Sequence, residues 1–208
     1  MFIGPRWVIS TKAYTSLIVT PFDAGYPARL QSQADDEGLT RSPGLHLSTI
    51  YRDIERTIKP KDEWCSEEEL AFFGAGGFLW ERVFGKCHAE AVATEDIVRP
   101  GEFELDGIIG SPDLIRVSDW TLLETKCCWR SARKFESLEK NFWAWICQVK
   151  SYSLMIGTNV AEIHCFFVAG DWRPPAPCVK SIRIEYTDRE LEENWSMITK
   201  FAESRGWL

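Results

Sequence analysis

In the first half of the chain, apolar side chains recur every three to four residues, which is typical of helices with one buried face. The first such run ends at Pro60 and contains Leu47, Ile50, Tyr51, Ile54 and Ile58. A second run begins after Ser66, a good helix-capping residue followed by three glutamates, and continues to about Cys87. The pattern therefore predicts two helices before residue 90.

Two further helices are predicted in the second half of the chain. One spans about Phe135–Ile156 and ends at Gly157, and the last is capped by Asp188. Short groups of branched and aromatic residues, separated by Gly, Pro, Ser and Asp, predict strands between the helices. These groups are residues 103–105, 108–109, 114–117, 120–123, 163–168 and 179–186. This order of elements predicts an α/β protein with one central mixed sheet flanked by helices.

The beginning of the chain has a different character. Two short segments rich in β-forming residues, 7–9 and 16–19, are followed by a stretch with several Pro and Gly residues. We therefore expect residues 1–43 to be an N-terminal extension of unknown role and residues 44–208 to be the main domain.

The composition is typical of a globular protein: 45% of the 208 residues are hydrophobic and 26% are charged. No apolar run reaches the ~18 residues of a membrane span, and the first residues do not resemble a signal peptide. Seven cysteines, an odd number, favour reduced thiols and a cytoplasmic location.

The net charge of −7 argues at first against nucleic acid as a partner, because phosphate binding favours a basic surface. The charge is unevenly distributed, however. Four cations occur within nine residues with no acid among them, namely Lys126, Arg130, Arg133 and Lys134. Because phosphate binding depends on such local fields, the acidity does not exclude DNA.

Two acids and a lysine lie on neighbouring predicted strands in the middle of the chain. Asp113 follows Ser111 and Pro112, and ten residues separate it from Glu124-Thr125-Lys126. Residues two apart on a strand share a face, so Glu124 and Lys126 project together. Carboxylate oxygens suit Mg²⁺ and Mn²⁺, and a nearby ammonium can position water or offset phosphate charge. The alternative is an exposed aspartate and a Glu–Lys pair without a catalytic role.

Pro112-Asp113 and Glu124-Thr125-Lys126 resemble the PD-(D/E)XK signature of the restriction-enzyme-like nucleases. Two further motifs resemble the RecB and phage lambda exonuclease (YqaJ-type) branch. The segment 77–81, which ends in Glu81, is similar to its G-x-x-x-E helix, and the segment 148–152 is similar to its Q-x-x-x-Y motif. The resemblance extends from about residue 45 to residue 204 and implies a restriction-endonuclease-like core.

This resemblance implies a metal-dependent deoxyribonuclease. Asp113, Glu124 and the Thr125 carbonyl would bind Mg²⁺ or Mn²⁺, one or two ions, and Glu81 would reach a metal directly or through water. Lys126 would activate or position the attacking water. The implied reaction is hydrolysis of phosphodiester bonds from the ends of linear duplex or single-stranded DNA, in phage-type recombination, repair or DNA degradation.

The resemblance also implies residues that bind DNA. Gln148 and Tyr152, which share a helical face, would contact DNA or brace the lysine. Residues 41–48 resemble the 5′-phosphate pocket of lambda-type exonucleases, with the glycine displaced by one, and would use Arg41 and Ser48. A helix start capped by glycine and serine is the alternative. Three cations beyond the catalytic strand would flank the DNA path: Arg130, Arg133 and Lys134.

Several alternatives stay open. The protein could be a structure-specific endonuclease, or a nucleic-acid-binding protein that keeps the fold without cutting. The resemblance leaves room for a homo-oligomer and for a single-strand-annealing or recombination partner. No iron–sulfur cluster is expected, because Cys147, Cys165 and Cys178 are widely separated and the chain has no C-x-x-C. For Trp129, the sequence favours packing over stacking on a base.

Overall fold

The computed structural model describes residues 42–58, 96–170 and 177–208, together with residues 74, 76, 77, 79, 80, 82 and 83. Of the predicted N-terminal extension, only residues 42 and 43 fall within this set. The predicted site residues Arg41 and Glu81 and the predicted cap Ser66 lie outside the described residues.

The described residues form eight strands, four α-helices and one 3-10 helix. The strands are β1 (Leu45–His46), β2 (Ile97–Val98), β3 (Phe103–Leu105), β4 (Ile108–Gly110), β5 (Leu114–Arg116), β6 (Thr121–Cys128), β7 (Val160–Phe167) and β8 (Cys178–Glu185). The helices are α1 (Leu47–Ile58), a 3-10 helix (Ala132–Ser137), α2 (Leu138–Asn141), α3 (Trp143–Ile156) and α4 (Asp188–Ser204). The seven described residues from 74 to 83 are also helical, in agreement with the second predicted helix.

The strands form a mixed five-stranded sheet in the order β2-β5-β6-β7-β8 and a three-stranded sheet in the order β1-β4-β3. In the larger sheet β6 and β7 are parallel, and the other neighbours are antiparallel. The predicted α/β class is confirmed, but the strands are divided between two sheets instead of one. The division falls between β4 and β5 at Pro112, which has no N–H to donate to a strand ladder.

Helix α3 crosses from β6 back to β7, as a parallel pair of strands requires. It packs against α1, α4 and β6 and ends at Gly157, whose φ of 72° is readily adopted by glycine. The single long helix predicted over Phe135–Ile156 is wrong, because the chain breaks into three pieces and α3 begins after Phe142. The bend allows the rings of Phe135 and Phe142 both to pack edge-on against Phe167.

Helix α4 covers α1 and α3. Its N-cap is Thr187, which forms a capping box with Glu190, so Asp188 is the first helical residue and not the predicted cap. The helical segment that contains Trp80 packs on the larger sheet. The Trp80 ring stacks on the Phe166 ring of β7, with centroids 4.2 Å apart. None of the helices among the described residues is long and apolar enough to cross a membrane.

Candidate active site

Asp113 lies at the start of β5, next to the residues of β6 that the sequence singled out. Leu114 pairs with Leu123, so one further step in this antiparallel register sets Asp113 opposite Glu124. The Asp113 carboxylate accepts hydrogen bonds of 2.7 Å from the Thr125 N–H and 2.6 Å from the Thr125 hydroxyl. These two bonds hold the carboxylate beside β6.

Glu124 and Lys126 project from the same face of β6, as their spacing predicts. Lys126 Nζ lies 2.6 Å from Glu124 Oε1. The Glu124 side chain is 2% exposed and that of Lys126 is 16% exposed, so the pair is largely removed from water. The ammonium offsets part of the cost of burying the carboxylate.

Gln148 connects this pair to α3. Its Oε1 accepts a 2.7 Å hydrogen bond from Lys126 Nζ, and its Nε2 donates a 2.9 Å hydrogen bond to the Tyr152 hydroxyl. The shared helical face predicted for Gln148 and Tyr152 is confirmed. These hydrogen bonds favour bracing of the lysine, one of the two roles that the resemblance implied, and the role itself stays a prediction.

Tyr152 lies close to both acids of the site. Burial raises the pKa of its hydroxyl, and the negative charges of Glu124 and Asp113 raise this pKa further. The close approach of α3 depends on Gly110, where a Cβ atom would lie 3.0 Å from the Tyr152 ring. The sequence predicts neither Gly110 nor the hydroxyl of Thr125 as part of the site, because neither carries a motif of its own.

The oxygen atoms gathered here fit a hard divalent cation. Backbone carbonyls point alternately to the two sides of a strand, and the Cys128 carbonyl accepts from Val168 at the end of β7. The Thr125 carbonyl, three residues earlier, therefore points towards β5 and Asp113. Together with the Asp113 and Glu124 carboxylates it forms an oxygen donor set of the kind that Mg²⁺ and Mn²⁺ prefer.

This donor set contains two acids. Within the ranges that the structure covers, no group of three or more His, Cys, Asp or Glu side chains could hold a metal ion. The third predicted acid, Glu81, is not among those residues. A third carboxylate at this site is therefore an expectation from the sequence motif.

The predicted 5′-phosphate pocket is represented by Ser48, the second residue of α1. Six residues before Ser48, the Ser42 N–H lies 3.4 Å from the Glu102 carboxylate, and the Ser111 hydroxyl lies at the same distance from it. The hydrogen bond from Ser42 lowers the pKa of this exposed carboxyl group. Glu102 was not predicted, because an acid is not expected close to a phosphate pocket.

Three of the four cations of the predicted basic strip are exposed: Arg130, Arg133 and Lys134. The fourth, Lys126, belongs to the candidate site described above. Arg130 donates a 2.9 Å hydrogen bond to the Asn141 carbonyl, and its guanidinium lies 5.6 Å from the centre of the Phe142 ring. Trp129 is 49% exposed, so about half of its surface is covered, and the choice between packing and stacking on a base stays a prediction.

The chain resembles known proteins in its structure but not in its sequence. No protein-family model matches the chain, and no curated protein is similar to it in sequence. A phage-related exonuclease from Haemophilus somnus 129PT matches with a TM-score of 0.51 and 15% identity, over 76% of this chain and 78% of that chain. The protein SSO0001 matches with a TM-score of 0.51 and 10% identity, over 86% of this chain and 88% of that chain.

A third similar structure is LHK-Exo, an alkaline exonuclease from Laribacter hongkongensis, in complex with dAMP. This complex matches with a TM-score of 0.51 and 14% identity, over 77% of this chain and 87% of that chain. The chain therefore has the fold of these exonucleases, in agreement with the fold that its motifs predicted. At these identities the likeness defines the fold alone.

Proposed function

We propose that this protein is a Mg²⁺-dependent DNA exonuclease that hydrolyses phosphodiester bonds from the ends of linear DNA. The observation that carries the proposal is the convergence of Asp113, Glu124 and Lys126 on two adjacent strands of this fold. Fold alone does not determine activity, but an acid pair with an adjacent lysine is a set of groups suited to phosphodiester hydrolysis. The exonuclease names of two structural neighbours support the same reaction.

In this proposal Asp113, Glu124 and the Thr125 carbonyl hold a divalent cation, with Glu81 as a further ligand. Such a cation supplies Lewis-acid chemistry, since it lowers the pKa of water and offsets negative charge on phosphate. The hydrogen bonds from Thr125 keep the Asp113 carboxylate in position for this role.

Lys126 provides a positive charge next to the carboxylates. Its Nζ is fixed by Glu124 Oε1 and Gln148 Oε1, so the ammonium has a defined position and does not move freely in solvent. From there it can orient the attacking water or donate to an oxygen of the scissile phosphate, whose negative charge grows during the reaction. Gln148 and Tyr152 act by keeping the lysine in this position.

DNA is held on both sides of these residues in the proposal. Arg41 and Ser48 bind the terminal phosphate, and the exposed cations beyond β6 contact the backbone of the strand. One structural neighbour was determined with dAMP, a nucleotide of the kind that an exonuclease releases. Phage-type recombination, repair and DNA degradation are the processes in which such an enzyme acts.

A digestion assay tests the proposal. Linear duplex and single-stranded DNA, each with a 5′-phosphate or a 5′-hydroxyl, are compared with a covalently closed circle in Mg²⁺ or EDTA. We expect nucleotides to be released from the linear substrates in Mg²⁺ only, and Glu124→Gln and Lys126→Ala to slow release about 100-fold or more. Glu192→Gln and Lys200→Ala change an exposed acid and an exposed lysine of α4 and serve as matched controls.

Each other result has a clear meaning. Equal rates for the wild type and the Glu124 and Lys126 variants would contradict the assignment of these residues. Cleavage of closed circles as fast as linear DNA would identify an endonuclease. Binding of DNA without any cleavage would identify a nucleic-acid-binding protein that keeps the fold.

A further inference from the structure

Trp129 is the first residue after β6, the strand that carries Glu124 and Lys126. Half of its surface is exposed, although tryptophan is among the side chains most stabilised by burial. Single exposed apolar residues are common, so exposure alone indicates no function. What distinguishes Trp129 is its distance from the candidate catalytic residues and the charge around it.

The backbone path gives the distance from Lys126 to this position. Three residue steps along the extended chain correspond to about 10 Å. The neighbouring Arg130 borders the same helix as Lys126, because Gln148 of α3 contacts Lys126 and Phe142, the N-cap of α3, lies under Arg130.

The neighbouring side chains give this position a positive charge. The 3-10 helix that follows buries Ala132 and Phe135 and leaves Arg133 and Lys134 exposed. One exposed acid, Glu136, lies in the same segment, so exposed cations outnumber exposed acids here. We call Trp129, Arg130, Arg133 and Lys134 the Trp129 surface.

The Trp129 surface lies at one end of the catalytic group. At the other end, the Tyr152 ring lies against Gly110, the residue before Ser111, and the Ser111 hydroxyl and the Ser42 N–H both lie 3.4 Å from the Glu102 carboxylate. Tyr152, in the second half of α3, therefore lies at the Ser111 end of the site, and Gln148 contacts Lys126 in the middle. Phe142, the N-cap of α3, lies beside Arg130 at the other end. A strand whose terminal phosphate is held at the start of α1, as proposed above, would continue past Lys126 towards Trp129.

We infer that Trp129 stacks on an unpaired base of the retained DNA strand, within about three nucleotides of the scissile phosphate. Stacked bases of one strand are about 3.4 Å apart, so the 10 Å separation corresponds to about three nucleotides. An exposed aromatic ring beside cations is the combination by which proteins hold single-stranded DNA. The inference rests on the proposed function and adds that the strand at the site is separated from its complement.

The test measures binding in EDTA, where the proposed cleavage does not proceed. Fluorescence anisotropy is recorded with single-stranded oligonucleotides, intact or with one abasic nucleotide moved stepwise from the 5′ end. We expect Trp129→Ala and Trp129→Leu to weaken binding of the intact strand about tenfold. Trp129→Phe, which keeps an aromatic face, should retain most of the affinity.

Trp120 provides the matched control. It precedes β6, as Trp129 follows it, and is 46% exposed. Trp120→Leu should bind all the oligonucleotides as the wild type does. Trp129→Leu keeps apolar bulk, so its comparison with Trp129→Phe isolates the aromatic face even if Trp129→Ala does not fold.

The decisive result is the combination of variant and abasic strand. At one position the abasic nucleotide should weaken wild-type binding about tenfold and should not weaken Trp129→Leu further, because the stacking partner is already absent. Losses that add fully, or equal affinities of Trp129→Leu and wild type, overturn the inference. Failure of the wild type to cut any DNA in Mg²⁺ overturns the proposed function instead, since binding is measured separately.

Discussion

Lys126 and Gln148 are joined across the boundary between β6 and α3 by a 2.7 Å hydrogen bond from the lysine Nζ to the amide Oε1. The amide is oriented at both ends, because its Nε2 donates to the Tyr152 hydroxyl 2.9 Å away. The position of the candidate catalytic lysine is therefore set by a side chain of a helix and not by its own strand alone.

We expect Gln148→Ala to lower the single-turnover rate of DNA cleavage by about 10- to 100-fold, because small misplacements of a catalytic group have effects of this size. DNA affinity measured in EDTA should change by less than about twofold. Gln148→Met, which keeps the volume without the hydrogen bonds, should behave in the same way. A loss of affinity at an unchanged rate would show that Gln148 contacts DNA instead.

Tyr152→Phe tests the outer part of the same chain of hydrogen bonds. The variant keeps the buried ring but removes the acceptor of Gln148 Nε2, so we expect a smaller loss of rate, about 3- to 10-fold. Burial and the neighbouring carboxylates raise the pKa of the Tyr152 hydroxyl, so it stays protonated near neutral pH. The pH–rate profile of the variant should therefore have the same limbs as that of the wild type. A limb that disappears in Tyr152→Phe would contradict a purely positioning role.

The parts of the site that the sequence predicted are those fixed by local geometry. Glu124 and Lys126 share a face because strand side chains alternate, and Gln148 and Tyr152 share one because they are four apart on a helix. Neither relationship depends on the rest of the fold. Each could therefore be predicted from spacing alone.

The parts that the sequence did not predict depend on contacts between distant segments. The bond from the Thr125 hydroxyl to Asp113 requires the register of β5 and β6. The break at Phe142 depends on Phe167, 25 residues later in the chain, against which its ring packs. Periodicity in a single segment contains no information about such partners.

Metal binding should change the stability of the wild type in a way that depends on Asp113 and Glu124. A ligand that binds only the folded state stabilises it by mass action, so Mg²⁺ or Mn²⁺ should raise the Tm of the wild type. In Asp113→Asn and Glu124→Gln the rise should be absent. Without metal, Glu124→Gln should lower the Tm, because the largely buried Lys126 ammonium loses its negatively charged partner.

Calorimetric titration with Mn²⁺ provides the direct measurement. We expect the affinity to fall at least tenfold in either variant, while Glu192→Gln binds as the wild type does. A wild-type Tm that is the same in Mg²⁺ and in EDTA, together with no heat of Mn²⁺ binding, would contradict a metal site formed by these residues.

A group of charges away from the candidate site predicts how stability depends on pH. Arg116 contacts Asp119 at 2.9 Å and Glu162 at 2.8 Å. The hydrogen bond from Arg116 lowers the pKa of Asp119 to about 2. For Glu162, burial would raise the pKa, but hydrogen bonds from His164, Arg116 and Arg183 outweigh burial and lower it.

Both carboxyl groups have a lower pKa in the folded state than in the unfolded state, where values near 4 are expected. Their contribution to stability is therefore complete above about pH 4.5 and is lost as the pH falls towards about 2. The free energy of unfolding in urea should decrease over this range in the wild type and less steeply in Glu162→Gln. Parallel curves for the two proteins would show that Glu162 does not carry this dependence.

The Cys147 carbonyl lies one residue before Gln148 in α3 and is a buried hydrogen-bond acceptor shared by three helices. It accepts a 2.7 Å hydrogen bond from the Tyr51 hydroxyl and a 3.0 Å hydrogen bond from Asn194 Nδ2, which also donates to Ser151. These bonds join α1, α3 and α4 in the interior. Asn194→Ala removes one of the donors to each of two buried acceptors, so we expect the free energy of unfolding to fall by about 1–3 kcal/mol.

The same substitution should slow cleavage, because α3 carries the residue that fixes Lys126. We expect the rate to fall by a few-fold at a temperature where the variant is fully folded, with DNA affinity unchanged. Lys200→Ala on the same helix should alter neither quantity, because Lys200 is exposed. If Asn194→Ala lowers stability but cleaves at the wild-type rate, the interior network supports the fold alone, and Gln148 and Tyr152 are sufficient to hold the lysine.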